Sequence, residues 1–117
     1  MIVTLDIDDE RVWDLLVSAF EGGANYWIRR MEIATQPTEA GGGRAWVPLK
    51  GGALRVHVAD RDVTPLRLLD QAAIARGLEL MSQHHQDHFA DVIGGTDDAI
   101  TGDVFLQLCL FDKIIFG

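Results

Sequence analysis

Ala45-Trp46-Val47-Pro48-Leu49-Lys50-Gly51-Gly52-Ala53-Leu54-Arg55-Val56-His57-Val58-Ala59 contains two short apolar runs, Ala45 to Leu49 and Ala53 to Ala59, on either side of Lys50-Gly51-Gly52. A Gly-Gly between two such runs predicts a β-hairpin, because glycine adopts without strain the positive φ values that tight hairpin turns require. In the second run Leu54, Val56 and Val58 fall on one face and Arg55 and His57 on the other, so one face is buried and one is wet. Pro48 lacks a backbone N–H, which demotes the first run to an edge or bulged strand. Upstream, Asn25 to Thr35 is rich in β-formers without a helical period and predicts a third strand. It is joined to the hairpin by a loop from Gln36 to Arg44 that holds Pro37 and the triple glycine Gly41 to Gly43.

The ends of the chain complete the expected fold. Ile2 to Ile7 alternates, with Val3, Leu5 and Ile7 on one side, and predicts a short strand. Asp8 follows as a helix N-cap, with Asp9 and Glu10 in the first turn, where the helix dipole favours negative charge. Val12, Leu15, Leu16 and Ala19 form an i, i+3, i+4, i+7 stripe, and Gly22-Gly23 ends the helix. Beyond the hairpin the pattern is helical. Thr64-Pro65 predicts an N-cap and first helical residue, opening a helix to about Gln83 with Leu66, Leu69, Ala73 and Leu80 on one side and Gly77 as a point of weakness. A short turn from Asp87 to Ile93 ends at Gly94-Gly95. Thr96 then caps a last helix with Asp97 and Asp98 in its first turn and Ile100, Val104, Leu108 and Phe111 as its buried stripe. The apolar ending Ile114-Ile115-Phe116 docks on the core. Residues 1–117 thus predict a single two-layer α+β domain, a small and mostly antiparallel sheet of about four strands covered by three to four helices.

Composition bounds the chemistry. The chain has 18 acidic and 10 basic residues and a formal charge of −8, a balance opposed to direct nucleic-acid binding, in which each neutralised phosphate calls for a cation. A single cysteine excludes an intrachain disulfide, and Cys109, set among Leu108, Leu110 and Phe111, reads as a buried inert thiol. No apolar run approaches the roughly 18 residues of a membrane helix, and the first residues do not have a signal-peptide pattern, so the expected setting is the cytoplasm. The charges are segregated: residues 1–28 hold six acids and one base, 29–76 five acids and eight bases, 77–117 seven acids and one base. Helix caps and solvated faces account for many of these. If the two acidic ends share a face, they form a negative surface suited to a basic protein groove, with long-range steering of association. Its contact residues would be Asp91, Asp97, Asp98 and Asp103, with Asp9, Glu10 and Asp14 next.

Candidate catalytic sets are scarce. His84 and His88 are four apart and share a helix face if the helix is continuous, and Asp91 adds a third donor one turn later, a set zinc accepts. His85 and Asp87 lie in the same cluster, but the glutamate of a His-Glu-x-x-His motif is absent. Asp97 to Asp103 lacks the spacing of a calcium loop, Gly41 to Arg44 lacks the Lys-Ser/Thr of a phosphate loop, and Ser18 and Ser82 have no nucleophile context. No catalytic set can be assembled from these residues, the expectation leans away from an enzyme without deciding it, and no cofactor is expected. Tyr26-Trp27, beside Gly22-Gly23, and Trp46, beside the triple glycine, read either as a binding edge or as plugs between sheet and helices.

Three segments carry a resemblance. Glu21-Gly22-Gly23-Ala24-Asn25-Tyr26-Trp27-Ile28, His88-Phe89-Ala90-Asp91, and Asp97-Asp98-Ala99-Ile100-Thr101-Gly102-Asp103-Val104-Phe105-Leu106-Gln107 together resemble a group of small bacteriophage and prophage proteins with no established activity. The resemblance implies a phage accessory protein acting in a bacterial cytoplasm. Small acidic phage proteins of that kind bind host proteins, including defence nucleases with basic nucleic-acid grooves, in the manner of an anti-CRISPR. The expected function is therefore inhibition or modulation of a host protein. A small metal-binding domain or metal-dependent enzyme using His84, His88 and Asp91 is the alternative, and a homo-oligomer formed through sheet edges and the apolar terminus is a third reading.

Overall fold

Asp98 turns its carboxylate to the backbone N–H of Thr101 at 2.9 Å and so starts the helix around which the molecule is arranged. This helix, α5 (Ala99–Phe111), is buried on all sides from Phe105 onward. The computed structural model describes residues 7–39, 41–60 and 67–117. In chain order these form α1 (Asp9–Ser18), continued by a π-helical turn (Ala19–Gly23), β1 (Ile28–Thr35), α2 (Gly43–Leu49), β2 (Ala53–Val58), α3 (Gln71–His84), α4 (Gln86–Gly94) and α5. α5 packs against α1, the π turn, α3 and α4, while α2 packs against α1, β2 and α3. None of the described helices is long and apolar enough to cross a membrane.

The mixed α+β class is as expected, but the sheet is smaller. Among the described residues it has two antiparallel strands, β1 and β2. The predicted partner of β2, Ala45 to Leu49, is helical instead, and Lys50-Gly51-Gly52 is a helix end rather than a hairpin turn. Gly51 takes φ 81°, and the Gly52 N–H reaches back to the Val47 carbonyl at 2.9 Å, the long bond of a Schellman cap. Gly-Gly supplies the positive φ that either structure needs, and burial decides between them: α2 buries Ala45, Val47, Pro48 and Leu49 together, which an alternating strand does not. β2 pairs with β1 in register Met31↔Val56 and Ile33↔Leu54. Its other edge bonds to Leu69, whose N–H and carbonyl exchange 2.9 Å bonds with those of Leu54. As expected, Leu54 and Val56 face the core, while Arg55 and His57 lie on the outer face. There the Glu32 carboxylate accepts from Arg55 at 3.4 Å and meets His57 Nε2 at 2.8 Å. These contacts, that to His57 foremost, hold the Glu32 carboxyl below the usual carboxylate range.

The Asp8 cap accepts from the Arg11 N–H at 3.0 Å, and Val12, Leu15, Leu16 and Ala19 are buried as expected. Of the predicted first strand, 2–6 lie outside the described residues, as do Thr64, Pro65 and Leu66. α3 starts later than expected: Asp70 caps it through the Ala73 N–H at 2.9 Å, and Leu69 is extended. The expected short turn from Asp87 is the helix α4, closed by Gly95 at φ 75°. Thr96 does not cap α5; its hydroxyl donates to Asp91 at 3.1 Å, and Asp97 and Asp98 precede the helix. Ile100, expected in the buried stripe, is 64% exposed, because α5 turns Thr101 and Gly102 inward at that level. Cys109 is fully buried, and burial pushes its thiol well above the usual value.

Two glycines set the helix crossings. A Cβ on Gly102 would stand 2.9 Å from the Ala19 backbone nitrogen and 3.0 Å from the Leu15 carbonyl oxygen, and one on Gly77 would meet the Cys109 sulfur at 2.3 Å. Gly77 therefore marks the α3–α5 contact rather than a kink. Gly102→Ala gains helix propensity of up to about 1 kcal/mol but forces α1 and α5 apart, so a net loss of about 1–3 kcal/mol is expected in urea denaturation. An unchanged midpoint would refute the close crossing.

Candidate functional site

The three segments that carry the resemblance meet in the structure. The π turn brings Gly23 against α5, where an added Cβ would stand 2.0 Å from the Ala99 carbonyl oxygen. One turn further along α5, the Asp103 carboxylate accepts the Tyr26 hydroxyl at 2.6 Å and the Trp27 indole N–H at 2.7 Å. On α4, His88 Nδ1 lies 3.1 Å from the Thr101 hydroxyl.

Below Asp103 the network continues inward. Gln107 is 1% exposed, and its amide nitrogen donates to Asp103 at 2.9 Å and to the Phe116 carbonyl at 3.1 Å. Its amide oxygen accepts the backbone N–H groups of Ile115 and Phe116, each at 2.8 Å. The apolar ending is thereby docked as expected, with Phe116 stacked on Trp27 at 5.3 Å and 3° and Phe111 tilted against both. The sequence motif Tyr26-Trp27 thus splits. Trp27 is fully buried, and Tyr26 is 56% exposed with its hydroxyl fixed.

Two large side chains on this part of the molecule are held in water: Ile100 in the first turn of α5, which follows Asp97 and Asp98 in the chain, and Tyr26, whose hydroxyl is bound to Asp103 one turn further along. The two acidic segments meet where α1 packs on α5. Arg11 on α1 presses its guanidinium on the α4–α5 loop, 2.8 Å from where a Gly95 Cβ would stand. The acids have unequal roles. Asp9 pairs with Lys50 at 3.4 Å, Asp91 accepts from Thr96, Asp98 caps α5, and Asp103 holds Tyr26, Trp27 and Gln107. Glu10, Asp14 and Asp97 make no side-chain hydrogen bond or ion pair among the described residues.

The histidine cluster is not assembled as the spacing suggested. His84 ends α3, His85 breaks the helix at φ −137° and ψ 59°, and His88 belongs to α4, so the shared helix face of His84 and His88 is lost. Among the described residues no group of three or more His, Cys, Asp or Glu side chains could hold a metal ion. The cluster lines an open hollow of about 540 Å³ with Gln83, Gln86 and Asp87. Partial burial, then the neighbouring His88 and His84, push His85 below the ordinary histidine value.

Comparison with family models, curated proteins and solved structures finds no match for the chain. The residue that sequence reasoning missed is Gln107, whose polar side chain within an apolar run gives no sign of the four bonds it makes.

Two outcomes test the network. Tyr26 is the sole tyrosine, and its hydroxyl is pushed up to about 12 by burial of that end of the side chain, then by the hydrogen bond to Asp103 and its charge. The folded value lies above the ordinary value of 10.0, so the stability linked to this proton is complete below that pH and is lost as pH rises through about 12. In Asp103→Asn the tyrosinate absorbance should titrate at lower pH, part of the way back, since burial remains; an unmoved curve would remove Asp103 as the cause. Gln107→Leu leaves the N–H groups of Ile115 and Phe116 without their acceptor and should cost about 3 kcal/mol in denaturation, with the tail more open to carboxypeptidase.

Proposed function

We propose that this chain is a bacteriophage-encoded, non-catalytic interaction protein of the bacterial cytoplasm, which inhibits or modulates a host protein by binding a basic surface on it. The target class we favour is a defence complex with a nucleic-acid groove. The observation that carries this reading is the exposure of Ile100 in the first turn of α5, directly after Asp97 and Asp98 in the chain, together with that of Tyr26, whose hydroxyl is fixed on Asp103 of the same helix. Tyrosine and large aliphatic side chains supply anchoring contact area at low entropic cost, and surrounding charge guides encounter and register. With Asp103 committed to the internal network, Asp97, Glu10 and Asp14 become the leading acidic contacts, with Asp91, Asp98 and Asp9 around them. Nothing in this arrangement requires a nucleophile, base or metal.

Affinity capture from lysate of a host bearing defence systems, at low and moderate salt, tests the reading. One dominant salt-sensitive partner with a basic groove is expected. Ile100→Ala and Tyr26→Ala should each weaken its binding about tenfold, mainly through faster dissociation. Neutralising Glu10, Asp14 and Asp97 together should slow association and flatten its salt dependence. Capture that persists unchanged in all of these variants would overturn the proposal.

A further inference from the structure

A second concave site lies on a different side of α1 and does not depend on the proposed partner surface. Trp13, Val17 and Phe20 follow each other at i, i+4 and i+7, all half-buried, while Leu15 and Ala19 face α5. The π turn begins at Ala19, so Phe20 and Glu21 are displaced from the positions a continuing α-helix would give them. Opposite stand Met31 of β1 and the loop Gly42–Gly43 with Arg44, enclosing a groove of about 350 Å³. The loop can form this wall because Gly41, Gly42 and Gly43 take φ 102°, 78° and 72°, and a Cβ on Gly42 would stand 2.6 Å from the Trp46 ring.

The lining specifies a ligand. Indole, phenyl, thioether and isopropyl groups call for one apolar body, and the volume is at the lower end of the range for small-molecule sites. Two opposite charges sit on separate walls, Glu21 in the π turn and Arg44 in the first turn of α2. Both are exposed, and neither makes an ion pair among the described residues. A purely anionic ligand meets Glu21, and a purely cationic one meets Arg44; a small zwitterion satisfies both.

We propose that this groove binds a free amino acid with a large apolar side chain, the side chain between Trp13, Phe20 and Met31, the carboxylate on Arg44 and the ammonium at Glu21. Nuclear magnetic resonance of protein labelled on the methionine methyl groups tests it, because Met31 lines the groove and Met81, fully buried elsewhere, serves as the internal control. Titration with L-phenylalanine should move the Met31 methyl and leave Met81 in place. Phenethylamine and 3-phenylpropionate, each lacking one charge, should bind about tenfold more weakly, and Arg44→Gln and Glu21→Gln should each weaken L-phenylalanine by a similar factor. The proposal is overturned if none of L-phenylalanine, L-leucine and L-tryptophan shifts Met31 at about 10 mM. It is equally overturned if the single-charge analogues bind as well as the amino acid, if neither substitution matters, or if Met31 and Met81 move together.

Discussion

Gln107 uses its whole hydrogen-bonding capacity. Two donors reach Asp103 and Phe116, and two backbone N–H groups reach its oxygen, in a side chain that water does not touch. A buried amide is tolerable only when it is satisfied in this way, and once satisfied it specifies one arrangement of its partners. Its own partners lie within nine residues, and through Asp103 the network reaches a distant part of the chain. Asp103 brings Tyr26 and Trp27 to α5, and the backbone at 115 and 116 brings Phe116 onto Trp27. The aromatic cluster and the exposed tyrosine above it depend on this one polar core.

The same dependence explains how an acidic chain distributes its charge. Several carboxylates satisfy backbone or side-chain donors that would otherwise be unpaired: Asp8, Asp70 and Asp98 at helix starts, and Asp103 beneath Tyr26. Asp112, left-handed at φ 66° after α5, accepts from Arg67 and from Arg76 at 3.0 Å, and these partners, Arg67 foremost, hold its carboxyl below the usual range. Most of these acids belong to the fold, so the formal charge of −8 overstates the carboxylates free to meet a partner. Electrostatic steering depends on the summed field and still benefits from all of them, whereas specific contacts are limited to side chains with no internal role.

Where local signals agreed with burial, the sequence was readable. α1 has its cap, its stripe and its glycine end, and β2 alternates as its residues suggest. The segment from Ala45 to Leu49 was misread because Lys50-Gly51-Gly52 serves a hairpin or a Schellman cap equally well, and only the tertiary environment, which buries Pro48 with Leu49, separates them. The start of α5 was misread for a related reason. Thr96 and Asp98 are both good caps, which leaves the helix start open, and the close packing of Gly102 on α1, not visible in the periodicity, turns Ile100 to water. At the candidate site, Tyr26-Trp27 was visible as a motif but not as one buried and one exposed ring. The groove residues Trp13 and Phe20 were hidden beside the stronger Val12, Leu15, Leu16 stripe.

That helical register has a functional consequence. Had α5 followed the expected stripe, Ile100 would lie in the core instead of in water. The close crossing at Gly102 prevents this, because only a residue without a side chain lets the Leu15 carbonyl and Ala19 nitrogen approach so near, and that contact turns the opposite side of α5 outward. α1 is then held on one side by α5, which leaves its Trp13, Val17 and Phe20 side to face β1 and the glycine loop. One glycine contact thus sets which sides of α1 and α5 face outward. Reorienting these sides of α1 and α5 requires breaking a helix crossing, so the two helices present their side chains in a fixed relation.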